Sequence, residues 1–403
     1  TQQPFTTSSQ KSPPHYQSIR ASQQDPASSH HLPSFSAGSI LSTFPIFLHR
    51  NLLTLILGII MLSLTFIVFS SFLIVAMTLI ATGGGAVHNS LPNTVCILSP
   101  AGVLDASKVH TLNTSMSFLE QQGFRVKLMP NALKSHNAFA GTDEERRSDL
   151  QSALEDVDNC SIIMCARGGY GMSHTIDLID WERVNDKRKT LPDVTPQLRL
   201  IGFSDITHIL LRLLDQKGVN YLPLHAPMPA FNDFRDAILW GRTLKLLNGQ
   251  VVDDLRATSE THNRQGTGKG QLIGGNLSIM MSSIGTQTDL NTKGRILFIE
   301  EVGEDARHLD KMLRIMGRSG KFDGLAGLVF GQFTSYSNDA YFPSPLTSEQ
   351  VIAQAIEPFV KTSEFPIAFG FDFGHGAPNY ALPLGVNAVL TVAGDGSTLS
   401  IQN

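Results

Sequence analysis

Cysteine is scarce in this 403-residue chain, which has only Cys96, Cys160 and Cys165. They form no metal-binding or redox spacing, and three cannot all pair with one another, so a zinc ribbon, a thioredoxin-like centre and a disulfide scaffold are all unexpected. Two of them lie in or beside apolar strand-like runs, where a free thiol serves as a small core residue. Nor is charge of one sign in excess: 31 Lys and Arg against 35 Asp and Glu leave a net −4, without the basic footprint of a nucleic-acid binder. There is no H-E-x-x-H, and no glycine fingerprint for a dinucleotide or a nucleoside phosphate.

Charge vanishes altogether between Arg50 and Asp105. Within that stretch Leu52 to Ala81 is mostly Leu, Ile, Phe, Val and Met, longer than the ~20 residues that span a bilayer, so 52–82 reads as one transmembrane helix or an unusually long signal segment. The small-residue run Ala81-Thr-Gly-Gly-Gly-Ala86 offers a cleavage site, but the apolar run exceeds an ordinary signal core, and an uncleaved anchor is the preferred reading. Lys11, Arg20 and Arg50 precede it, which puts the polar tail, residues 1–51, in the cytoplasm and the remainder across the membrane. The tail is expected to be disordered, since residues 1–37 are rich in Ser, Gln, Pro and His with almost no aliphatic content. Residues 83–92 read as a linker.

Beyond the linker, strand-like and helix-like patterns alternate. Thr94 to Ser99, Phe124 to Met129, Ser161 to Ala166 and Leu198 to Ile201 read as strands; Ser107 to Gln122 and Asp143 to Leu154 read as helices. Such β-α units imply an α/β fold with a mostly parallel sheet in an N-terminal domain, residues 93–228, with ligands gathering at the carboxyl ends of its strands. A polar, Gly-containing connection, 229–269, leads to a C-terminal α/β domain with mixed strands, 270–403, closed by a hairpin turned on Asp395-Gly396.

Leu198 to Leu214 organises the chemistry. Ile206 to Leu214 has helical apolar spacing, so Gly202 to Asp205 is the turn that joins it to the preceding strand, and Ser204 sits at a strand-to-helix elbow. An elbow lifts a hydroxyl clear of the sheet, and the amides that open the helix stabilise negative charge on a substrate oxygen. The competing reading is that Ser204 or Asp205 caps the helix, because Ile206 replaces the second glycine of G-x-S-x-G. Gly168-Gly169 would let a backbone amide approach a bound group at the same edge, or would serve only a tight turn. Glu300 ends a buried-looking strand, where a carboxylate is costly unless paired, and alternation sends Glu301 to the opposite face. His375 stands between two glycines, a setting that exposes an imidazole; His208 and His225 are competing bases.

Taken in order, Phe139-Ala-Gly-Thr142, Ala166-Arg-Gly-Gly-Tyr-Gly171, Ile201-Gly-Phe-Ser-Asp-Ile-Thr207, Gly274-Gly-Asn276, Phe298-Ile-Glu-Glu301 and Phe373-Gly-His-Gly376 resemble the LD-carboxypeptidase family, the muramoyltetrapeptide carboxypeptidases, over residues 93–403. The resemblance implies a serine peptidase whose triad is split between two domains: Ser204 as nucleophile, His375 as base and then acid, and Glu300 orienting the imidazole. It implies an oxyanion hole from the Asp205 amide and that of Gly168 or Gly169, a murein tetrapeptide or muropeptide as substrate, release of its terminal D-alanine, a homodimer, and no metal or organic cofactor. Family members generally lack a counterpart of the first 92 residues and act in the cytoplasm; with an inner-membrane anchor the catalytic part would work in the periplasm, and if the N-terminal extension is not real, in the cytoplasm. Two rivals remain open: the microcin-immunity branch, which cleaves peptide–nucleotide conjugates, and a membrane-tethered peptidoglycan-binding protein that has lost hydrolysis.

Overall fold

The computed structural model describes residues 93–402 apart from 191–197, 217, 259 and 338–342. The polar tail and the expected transmembrane helix fall outside the described residues. No helix among the described residues is long and apolar enough to cross a membrane.

The first sheet is built from β1 (Thr94–Leu98), β2 (Arg125–Leu128), β3 (Ile162–Cys165), β4 (Leu198–Gly202) and β5 (Tyr221–His225). They are parallel in the order β2-β1-β3-β4-β5, and a short strand from far along the chain, β11 (Leu382–Pro383), pairs antiparallel with β5. Every residue of β1 and β3 is buried, as expected of central strands covered on both faces. The crossovers carry α1 (Ala106–Gln121), α2 (Asp143–Glu155), α3 (Trp181–Lys189) and α4 (Thr207–Leu214). The sequence starts α2 firmly: Thr142 and Glu145 form a reciprocal capping box. Strand order reverses between β1 and β3, and the crevice at such a switch point is where ligands of open α/β sheets collect. The two turns that flank it are joined, Gly102 N donating to Gly168 O at 3.1 Å.

The second sheet is mixed, with β10-β9-β8-β7 parallel and β12, β13 and β6 antiparallel beyond β7. Its strands are β6 (Leu255–Ala257), β7 (Gly266–Asn276), β8 (Ile296–Val302), β9 (Gly327–Thr334), β10 (Ile367–Ala368), β12 (Asn387–Ala393) and β13 (Gly396–Ile401). Helix α5 (Ala237–Leu247) leads into this sheet, and between its strands run α6 (Leu277–Ser282), α7 (Ala306–Arg318) and α8 (Ser348–Val360). The Gly-containing stretch before residue 270 is not simply a connection, because it supplies β6 and the first four residues of β7. Its glycines answer to packing: a Cβ on Gly268 would stand 1.8 Å from Ala326 O, and one on Gly270 would stand 2.5 Å from Gly294 O.

The cysteines also depart from expectation. Cys96 and Cys160 form a disulfide and Cys165 alone is free and buried. Sixty-four residues separate the bridged pair along the chain, but β1 lies beside β3 and brings their Cα atoms to 5.4 Å. Sequence spacing carries no sign of that adjacency.

Both sheets belong to one unit, His88–Asn403. They meet along a run of rings: Phe203 tilted on His225 at 5.5 Å, then His225 edge-to-face on Phe298 at 5.4 Å and Phe298 edge-to-face on Phe373 at 5.3 Å. Helix α4 docks on the second half directly. Thr207 Oγ1 accepts from Asn276 N at 3.2 Å, His208 Nδ1 and Ser283 Oγ lie 3.1 Å apart, and Arg212 Nη2 donates to Gln287 Oε1 at 3.1 Å. Gly275 permits this approach, since its Cβ would come within 2.6 Å of Thr207 Cγ2.

Candidate active site

The chain leaves β4 through an extended Phe203 and turns at Ser204, whose φ of +64° is a left-handed conformation uncommon outside glycine. A single 3₁₀ turn, Ser204–Ile206, then leads into α4. The glycine missing after Ser204 is made good before it. A Cβ on Gly202 would lie 2.5 Å from Ile206 Cγ2, so Gly202 supplies the room into which Ile206 folds. Neither side chain of the elbow caps a helix. Asp205 instead turns back across the crevice, and its buried Oδ2 accepts from Met172 N at 2.8 Å. Burial raises its pKa, opposed by that bond and by the field of Arg146.

Around Ser204 the turns from β1 and β3 are fixed by two cations, Arg146 buried and Arg167 half-buried. Arg146 Nη1 donates to Pro100 O at 2.9 Å and to Gly171 O at 2.7 Å, and Arg167 Nη1 donates to Val103 O at 2.6 Å. Of the two candidate glycines, Gly168 is the one against the serine: its Cβ would meet Ser204 Cβ at 2.9 Å and Ser204 Oγ at 3.2 Å. A Cβ on Gly169 would face Arg167 and Gly102 instead.

Glu300 and His375 come from the second sheet. At the end of β8 a bulge between Ile299 and Glu301 breaks the register with β9, a device that re-aims side chains beside functional sites. Glu300 is fully buried and its Oε2 lies 2.6 Å from His375 Nδ1. Glu301 goes elsewhere, as strand alternation expects: it accepts from Asn276 Nδ2 at 2.8 Å and from Ser278 N at 2.7 Å. The glycines around His375 do not expose it, because the side chain is only 16% accessible. They make room for its neighbours. A Cβ on Gly374, at φ +124°, would stand 2.9 Å from Glu300 Oε2, and one on Gly376 would stand 2.7 Å from Gln332 Oε1.

The His375 ring packs on Phe203, next to the nucleophile candidate, at a centroid distance of 4.8 Å. Burial disfavours its charged form, but the hydrogen bond to Glu300 and the fields of Glu300 and Glu301 outweigh burial, and its pKa is raised. The competing bases behave in the opposite way. Burial lowers His208 to about 4 and His225 to about 4, so both stay neutral and neither offers a base poised near neutrality. Sequence reasoning did not single out Gln332, Asn379 or Arg146. Gln332 carried the same signal that exposed Glu300, a polar residue at the carboxyl end of an apolar strand.

Comparison with known proteins agrees with this geometry. Residues 95–223 match the LD-carboxypeptidase N-terminal domain and residues 269–390 match the LD-carboxypeptidase C-terminal domain. A Synechocystis relative is 31% identical over 306 residues, covering 75% of this chain and 92% of its own length. A probable murein peptide carboxypeptidase of Bacillus subtilis is 29% identical over 307 residues, 75% of this chain and 89% of the relative. Among solved structures, a muramoyltetrapeptide carboxypeptidase from Oxalobacter formigenes superposes with a TM-score of 0.65 at 22% identity, covering 77% of this chain and 99% of that one. The microcin C7 self-immunity protein, in its wild-type apo state, does so with a TM-score of 0.64 at 18% identity, covering 78% and 97%. The last two likenesses show the fold; with the domain matches and the Synechocystis relative, the chain belongs to the LD-carboxypeptidase family of serine-type carboxypeptidases.

Proposed function

We propose that this chain removes the terminal D-alanine from peptidoglycan tetrapeptides, with Ser204, His375 and Glu300 as its triad. The observation that carries the reading is the 2.6 Å bond from Glu300 to His375 beside the Ser204 elbow. His375 takes the Ser204 Oγ proton as that oxygen attacks the carbonyl carbon of the L,D bond, and Glu300 stabilises the imidazolium that forms. The amides of Asp205 and Gly168 stabilise the tetrahedral oxyanion, Gly168 being favoured over Gly169 by its contact with Ser204. Collapse breaks the C–N bond as His375 returns the proton to the leaving D-alanine nitrogen. Water, deprotonated by the same imidazole, then releases the shortened peptide from Ser204.

The substrate class is supported by the murein peptide activity in the name of the Bacillus relative. The fold likeness does not separate it from the microcin-type reading, whose representative superposes equally well. The discriminating experiment follows D-alanine release from a murein tetrapeptide by mass spectrometry, with the protein in detergent, Ser204→Ala beside it and a peptide–nucleotide conjugate as the second substrate. Release by the parent alone is the expected result. Preferential cleavage of the conjugate would move the assignment to the immunity branch, and a folded parent inert on both would sink the peptidase reading.

The reading extends to location: the catalytic part lies outside the cytoplasm, tethered through residues 52–82. The charge-free apolar stretch in the sequence and the Cys96–Cys160 disulfide support it, because disulfides persist in oxidising compartments.

A further inference from the structure

The loop that carries His375 is held by groups outside the triad. Gln332, near the carboxyl end of β9, makes three hydrogen bonds to it. Its backbone N donates to Phe373 O at 2.9 Å, its Oε1 accepts from Gly376 N at 2.7 Å, and its Nε2 donates to Pro378 O at 3.0 Å. One carboxamide thus spans the turn on the far side of His375, its oxygen accepting and its NH2 donating. The fit is close, since Gly376 leaves no space for a Cβ beside Gln332 Oε1. On the near side Gly374 N donates to Oδ1 of buried Asn379 at 3.1 Å. Glu300 and Gln332 emerge at the same edge of neighbouring parallel strands, β8 and β9. The first holds the imidazole and the second holds the backbone that bears it.

We propose that Gln332 is a positioning residue of this site: its carboxamide fixes the Gly376–Pro378 turn and so keeps His375 against Glu300 and beside Ser204. The inference rests on His375 being the base of the proposed reaction. Gln332 touches no reacting atom, and its effect passes through the geometry of another side chain, where a displacement of about 1 Å can cost about a hundredfold in rate.

The test replaces the carboxamide by a near-isostere, Gln332→Met, and follows two quantities. The first needs no substrate: the His375 ring is titrated by NMR in histidine-labelled protein, its resonance identified by its loss in His375→Gln. Loosening the bond to Glu300 should lower the His375 pKa from its raised value in the parent. The second is the kinetic split. The expected result is a kcat lower by about 10- to 100-fold with KM changed less than about threefold, and an acid limb displaced to lower pH with the titration. If Gln332→Met does not fold, Gln332→Asn keeps a carboxamide too short to span the turn and should show the same two changes. A folded variant with an unmoved His375 titration and kcat within about twofold of the parent overturns the proposal, as does a variant that loses only stability. If the parent releases no D-alanine, the carboxypeptidase reading fails, while the titration still decides whether Gln332 sets the state of His375.

Discussion

Gly168 lies against Ser204 so closely that a methyl group on the glycine would stand 2.9 Å from the serine Cβ and 3.2 Å from Phe203 O. The contact with Ser204 Cβ is short enough to force a shift, and a Cβ can yield only with the backbone of the elbow that carries it. Gly168→Ala should therefore leave the fold intact but displace the nucleophile. The expected outcome is a kcat lower by about 10- to 100-fold with an unchanged far-ultraviolet spectrum. Gly169→Ala, whose Cβ points to Gly102 and Arg167, should cost stability more than rate. Equal kinetic losses in the two variants would argue against Gly168 as the neighbour that matters.

Glu300 keeps His375 above the ordinary imidazole value of 6.5, so the base is neutral only towards the alkaline side of that value. The acid limb of kcat/KM should accordingly lie above pH 6.5, since that limb reports the essential base of the free enzyme. Glu300→Gln removes the largest raising influence and leaves burial, which lowers the pKa. The limb should move to lower pH while kcat falls by about 10³- to 10⁴-fold, as for loss of the carboxylate in other triads. A limb that stays in place in Glu300→Gln would show that some other group titrates.

Why the sequence yields some of these residues and hides others follows from the range of the interactions involved. The elbow is local: apolar periodicity changes from strand to helix across Gly202 to Asp205, and the turn between them is the place for Ser204. Glu300 is legible because a carboxylate ending an apolar strand has to be paired. The clamp by Gln332 bridges 44 residues and the Cys96–Cys160 bond bridges 64, and no local pattern registers either distance. The capping reading of Asp205 failed for the same reason, its partner being Met172, 33 residues away. The glycines of β7 misled in the opposite sense. Composition marks the stretch up to Gly270 as a connection, whereas the carbonyls of Ala326 and Gly294 leave no room for a side chain at Gly268 and Gly270 of that strand.

The disulfide makes a countable expectation. In denaturant without reductant, the protein isolated with rapid alkylation should carry one modified cysteine, Cys165, and all three after reduction. Removing the bridge with Cys96→Ala and Cys160→Ala should lower stability by about 2–5 kcal/mol, read as a fall in the denaturation midpoint. Three alkylated thiols in protein taken directly from cells would count against an oxidising location for this part of the chain.

His208 and His225 carry an acid liability that is separate from catalysis. Both are neutral in the folded state down to about pH 4 but take up protons near 6.5 once unfolded. A depressed histidine pKa means that the unfolded chain binds more protons, so stability declines as pH falls below 6.5 and the loss is complete near 4. Each group contributes about 3 kcal/mol over that window. His375, with a raised pKa, works with opposite sign: its contribution is full at low pH and is lost as pH rises through its folded value. Chemical denaturation between about pH 7 and pH 5, above the titration of most carboxylates, should show the decline. His208→Leu and His225→Leu should each remove about half of the slope. A slope unaffected by both substitutions would assign it elsewhere.

Ser204 provides the last expectation, because its conformation and its chemistry pull in opposite directions. A φ of +64° costs an L residue about 1–2 kcal/mol relative to glycine, and that cost arises from the Cβ, not from the hydroxyl. Ser204→Ala and Ser204→Gly should abolish turnover alike, yet differ in stability. The alanine variant keeps the Cβ and the strain; the glycine variant releases it and should unfold at a higher denaturant concentration than Ser204→Ala, by about 1 kcal/mol once the extra freedom of unfolded glycine is subtracted. The comparison isolates the backbone, since neither variant retains the nucleophile. Should the alanine variant prove the more stable, the left-handed turn at Ser204 would be relaxed in solution, and the shape of the elbow would rest on Gly168 and Gly202 instead.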